Sequence, residues 1–146
     1  MLNLPMGVKP GLSNIAVMMA AAVLGLPAGL AVAAAKAVFA GITRGLTAML
    51  LSGAGGIVSV LLVGLLLRCR GGQQATRNNK GMTELGIGML GGAAHNMAQL
   101  LAAALLMGAP GVLWAAPVLL LCGTLAGAVT GTAVKLIRKT NWGVLL

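Results

Sequence analysis

From Met82 to Met107 the chain carries no lysine or arginine and one acid, Glu84, near its start. A helix over this run, at about 1.5 Å per residue, outreaches the roughly 30 Å hydrocarbon core of a bilayer. The run also holds the only histidine of the chain, His95, with Asn96 beside it and Gln99 one turn on. On a helix, Glu84, His95 and Gln99 fall near one face, with the small residues Gly88, Gly91 and Gly92 next to them. Polar groups in such a helix are costly unless they face other protein groups or a cavity.

The rest of the chain repeats the theme. Hydrophobic residues make up 59% and charged residues 8%, against about a quarter charged in a soluble domain. This is the composition of a membrane protein with no separate soluble domain. The formal charge is +9, yet no basic stripe alternates with aromatic residues and tyrosine is absent, so nucleic acid is not the expected partner. Topology signals, anionic lipid or an anionic ligand explain the charge better. Cys69 and Cys122 form neither a disulfide framework nor a metal-ligand spacing.

Five spanning helices are expected: about 12–24, 27–43, 51–67, 82–107 and 112–139. Gly25 ends the first, and Pro27 suits the first turn of the second. Along the second, small residues recur every four positions at Gly25, Gly29, Ala33, Ala37, Gly41 and Gly45. This ridge permits close helix approach where lipid supplies no hydrophobic drive. Gly123, Gly127 and Gly131 form a similar ladder on the last helix. Residues 44–55 are Gly-rich and hard to assign.

Residues 68–81 are the hydrophilic segment, with Arg68, Arg70, Arg77 and Lys80. Together with Lys135, Arg138 and Lys139 they place this loop and the C-terminus on the cytoplasmic side of the cell membrane. Two helices separate the two clusters, so the count closes on five with the N-terminus outside. Trp114 and Trp142, about 42 Å apart along a helix, suit an aromatic belt.

In this topology Lys9, Asn14, Lys36, His95, Asn96 and Gln99 share the outer half of the membrane and are the candidate ligand-binding residues. Convergent polar groups in an apolar surround suit a small ligand, and the excess of cations suits an anionic or amphipathic one. Simpler roles stand beside this one. Lys36 can snorkel, Asn14 can cap a helix, and His95, Asn96 and Gln99 can be interhelical glue. No catalytic constellation is expected: there is no carboxylate pair, and Glu84 is about three turns from His95. No metal or other cofactor site is expected, since no second histidine or acid lies at ligand spacing.

Three motifs carry a resemblance: Pro5-Met-Gly-Val-Lys-Pro-Gly-Leu-Ser-Asn14, Gly55-Gly-Ile-Val-Ser59, and Gly92-Ala-Ala-His-Asn-Met-Ala-Gln99. Their order resembles the Gx transporter family, also called heptaprenyl diphosphate synthase component I, whose members look like the substrate-binding S components of energy-coupling factor transporters. The resemblance implies a six-helix fold with both termini inside. Here Met1 falls in the Pro-Gly-x-Lys loop, so the five helices correspond to the second to sixth, without the first helix, which commonly docks on the coupling subunit. Lys36 stands where the family leads one to expect arginine; the cation is kept and the bidentate fork is lost.

The expectation is therefore an all-α polytopic bundle acting as the solute-binding subunit of a multi-subunit importer. ATPase and transmembrane coupling subunits would supply the energy, since the chain has no Gly-x-x-x-x-Gly-Lys-Ser/Thr loop. The alternatives are an accessory membrane subunit of heptaprenyl diphosphate or isoprenoid-quinone synthesis, and a structural subunit of a membrane redox complex.

Overall fold

The computed structural model describes residues 12–73 and 83–139. Among the described residues the chain is helical throughout and contains no strand. Helix α1 (Leu12–Met19) widens into a π turn over Ala20–Leu24. Helices α2 (Leu26–Arg44), α3 (Leu46–Gln73) and α4 (Glu84–Met107) follow, and a 3-10 segment (Pro110–Ala115) leads into α5 (Ala116–Lys139). Four of these are long and apolar enough to cross a membrane: α2, α3 over Leu46–Cys69, α4, and Pro110–Ile137. The first is too short, since α1 and its π turn reach only about 20 Å.

Helix boundaries follow local chemistry. Thr83 caps α4, accepting the Gly86 amide on its Oγ1 at 3.2 Å, and Glu84 sits in the first turn. A cap and an acid there both favour a helix start, so α4 begins at Glu84 rather than Met82. At its other end Gly108 takes the left-handed conformation, φ 58°, a usual helix stop. Pro110 opens the 3-10 segment and Pro117 falls in the first turn of α5, where a missing N–H costs little.

The stretch that resisted assignment, residues 44–55, is helix except for one residue. Gly45 joins α2 to α3 with φ 92° and ψ 175°, a region open essentially to glycine alone. Helix α3 therefore begins at Leu46 instead of residue 51. It also runs on past Leu67 to Gln73, so the first part of the expected loop 68–81 is helical and residues 74–81 lie outside the described residues. Gly25 makes the same one-residue turn between the π segment and α2, at φ 97° and ψ 173°. The two end members of the expected α2 ridge thus serve as turns.

The inner members of that ridge pack. Gly29 meets Ala21, Ala33 meets Gly56, Ala37 meets Gly53, and Gly41 meets Met49. The last three pairs fix α2 and α3 as an antiparallel hairpin. Gly55 against His95 and Gln99, and Gly91 against Val63, set α3 antiparallel to α4. The glycine ladder of α5 closes on α4: Gly123 abuts Gly92, Gly127 abuts Gly88, and Gly131 abuts the backbone of Glu84 and Leu85. So α2, α3, α4 and α5 stand in a row in chain order. Helices α2 and α5 make no extended contact among the described residues, while α1 touches all four. It lies across the row as a wedge. Its Val17 and Met18, with Ala21, Ala33, Val60, Val63 and Ile87, form the core.

Large apolar side chains also face outward along every long helix, including Phe39, Ile42, Leu65, Leu125 and Leu136. Leu105 is 84% and Trp114 89% exposed. With four spans of this length and hydropathy, these faces meet lipid, and the chain is a membrane protein.

The packing makes a graded prediction. A side chain at Gly92 or Gly127 would run into a facing backbone carbonyl, so Gly92→Val or Gly127→Val should cost about 3 kcal/mol or more. Gly45→Ala meets nothing within 4 Å, so its cost is the φ strain alone, about 1–3 kcal/mol. Gly111→Ala, with open space and no positive φ, should stay within about 0.5 kcal/mol of the parent. Thermal unfolding in one detergent reads all four; equal melting of Gly92→Val and Gly111→Ala would refute the close α4–α5 contact.

Candidate ligand-binding site

Three helices bring polar groups together. On α3, Ser52, Gly55 and Ser59 recur at three and four residues and so share one face. The missing side chain of Gly55 makes room for α4: a methyl there would lie 2.6 Å from Gln99 Cγ and 2.9 Å from His95 Cε1. His95 and Gln99, four apart on α4, therefore straddle Gly55. From α2, Ala33 and Ala37 pack on Gly56 and Gly53, and Lys36 lies on the same stretch, within electrostatic range of His95.

Buried polar atoms in this group lack partners. Ser59 is fully buried, His95 3% exposed and Ser52 6% exposed. Ser52 Oγ, Ser59 Oγ and His95 Nδ1 make no hydrogen bond; Nδ1 approaches the backbone of Gly55 without closing one of good geometry. An unsatisfied buried donor or acceptor costs roughly 1–3 kcal/mol, and three sit within about two helical turns of α3 and the facing turn of α4.

The His-Asn-x-x-Gln motif divides by face. Asn96 turns away from His95 and Gln99 and donates from Nδ2 to the Leu119 carbonyl of α5, next to the Gly92–Gly123 contact. It is a tie between α4 and α5. His95 and Gln99 face α3 at Gly55, and Lys36 lies on α2 beside Ala37, which packs on Gly53 two residues earlier on α3. Asn14 lies in the first turn of α1, where its side chain is outside what the structure describes, and Lys9 lies outside the described residues. Ala21 of the π turn packs on Gly29, which holds this segment against the start of α2.

Ser52 was missed in the sequence, and Ser59 entered only as part of a motif. The usable signal was their spacing around Gly55, on the face opposite Ile57, Val58 and Leu61, which are exposed.

A separate crevice of about 20 Å³ lies toward the other end of α4. Met18, Val63, Ile87 and Val134 supply apolar wall, and Glu84 and Thr130 border it. It has room for about one water and is not the polar group. Among the described residues, no three of histidine, cysteine and acid gather as metal ligands.

A family model described as heptaprenyl diphosphate synthase component I matches residues 1–137. No curated protein and no solved structure shows a significant match.

The split of the motif predicts separable effects. Asn96→Leu should lower stability by about 1 kcal/mol, the usual worth of an interhelical hydrogen bond in lipid, measured as a drop in melting temperature. His95→Leu, which removes an unpartnered buried group, should leave stability unchanged or raise it. A large loss of stability in His95→Leu would make His95 a packing residue.

Proposed function

The chain belongs to the heptaprenyl diphosphate synthase component I family, and from that membership and the bundle's geometry we propose that it is the substrate-binding membrane subunit of an energy-coupling-factor-type importer. The observation that carries this is the set of buried, unpartnered polar atoms of Ser52, Ser59 and His95, gathered with Lys36 and Gln99 from three helices. Groups that cost stability when left unpaired are what a ligand can satisfy.

Orientation supports the same reading. Helices α3 and α5 are both antiparallel to α4, so Arg68 of α3 and Lys135 of α5 lie at one end of the bundle. By the positive-inside rule that end is cytoplasmic. Lys36 and Gln99 are each about 12 Å from the opposite end of their helices; in this reading the polar group lies in the outer half, where an imported solute arrives. The chain performs no catalysis in this scheme. Partner subunits hydrolyse ATP, and the solute is anionic or amphipathic.

The family's description favours a second reading, an accessory membrane subunit in prenyl diphosphate synthesis. Affinity purification of the tagged chain from its own membranes separates the two. Nucleotide-binding ATPases with a membrane coupling subunit are expected; recovery of a soluble prenyltransferase instead would replace the importer by the synthase subunit. Recovery of redox subunits would point to a structural role in a redox complex.

A further inference from the structure

Lys36 has no carboxylate to pair with. The only acidic side chain of the chain is Glu84, and Glu84 opens α4 at the end facing Gly131, about 16 Å along the helix from His95. Nor does Lys36 reach the rim unaided. Arg44 marks the end of α2 about 12 Å away, and a lysine stem extends roughly 6 Å. An ammonium held part-buried in a membrane helix is costly without a counter-charge. In this chain no other side chain supplies one.

We infer that the counter-charge arrives with the ligand, as a single compact carboxylate seated between Lys36, Ser52 and Gln99, with His95 beside it. This deepens the importer reading and rests on it for the outer location of the group. Charge counting selects the class. Among the described residues, Lys36 is the ammonium at the group, and one negative charge neutralises it. Arg44, the next cation on α2, is exposed at the end of the helix and within electrostatic range of Lys36, where it adds to the field that draws an anion in. A diphosphate carries several charges and ordinarily comes with Mg²⁺, which needs carboxylates that this half of the molecule lacks. The neutral groups fit a carboxylate as well. Ser52 Oγ is buried without a partner, and a hydroxyl and a side-chain amide both donate to carboxylate oxygens. Two sources share this chemistry, a water-soluble organic acid and a fatty acid from the bilayer.

The test uses the full chain in phosphatidylcholine nanodiscs, with melting temperature as the readout and sodium benzoate, oleate and inorganic pyrophosphate as probes. One carboxylate should raise the wild-type melting temperature by about 5 °C or more at saturation, and pyrophosphate should not. Benzoate acting alone identifies a soluble acid, and oleate acting alone a membrane-borne one. Lys36→Met should melt at or above the unliganded wild type and lose the response. Ser52→Ala should keep the fold and bind about tenfold or more weakly, as expected for one hydrogen bond to a charged group. Stabilisation by pyrophosphate, no response to either carboxylate, or an unchanged response in Lys36→Met would each overturn the inference. The partners recovered from membranes report on the importer separately, so carboxylate binding without ATPase subunits would keep this site and remove the importer.

Discussion

Helices in hydrocarbon gain nothing from hiding leucine from lipid, so contact between them depends on how closely their backbones approach. In this bundle the approach is set by glycine. Gly88 and Gly92 face Gly127 and Gly123 across the α4–α5 seam, with backbone atoms where side chains would otherwise stand. On the other flank Gly53 and Gly56 receive Ala37 and Ala33. Close backbones increase van der Waals contact and bring Cα–H groups toward facing carbonyls. The large apolar residues are thereby released from packing and cover the outside, where Phe39, Leu105 and Leu125 are exposed.

The same economy creates the polar group. Among the described glycines of α3, Gly55 is the one that faces side chains with polar atoms, those of His95 and Gln99. Gly53, Gly56 and Gly64 face alanine or leucine. A close-packed apolar seam would be more stable there, since replacing buried polar groups by apolar ones of similar shape is often neutral or better. A glycine that makes room for two polar side chains, flanked by two buried serines, is a departure from packing logic, and such departures cluster at functional sites.

Much of this was legible in the sequence. Five helices, the basic segment, the α2 ridge and the α5 ladder all follow from hydropathy and the four-residue spacing of small residues. Glycine's second use was legible at Gly25, which the sequence reads as a helix end, and not at Gly45. Gly45 fits the ridge by spacing, and only its backbone angles distinguish a turn from a packing position. The extension of α3 through Arg68 and Cys69 was hidden by the convention that charge ends a membrane helix, although a helix can continue into water beyond the bilayer. The site was half legible. Helical periodicity puts His95 and Gln99 on one face, and both meet Gly55, but which face of α4 meets α3 and which meets α5 depends on where the glycines of both partners fall. That information lies in three segments at once. For this reason the sequence offers Asn96, adjacent to His95, as a site candidate without showing that it also hydrogen-bonds α5.

That division between adjacent residues bears on how a ligand can act on the bundle. Asn96 and the glycine seam fasten α4 to α5 as one unit, while α2 packs on α3 through Leu26, Ala33, Ala37 and Gly41, with a one-residue glycine turn at each end. Lys36 rides on α2, and His95 and Gln99 ride on α4. A ligand drawn to both would therefore bridge the α2–α3 hairpin and the α4–α5 unit. A ligand held wholly by the α4–α5 unit would act on two helices that close backbone contact already joins, and so would shift the bundle less.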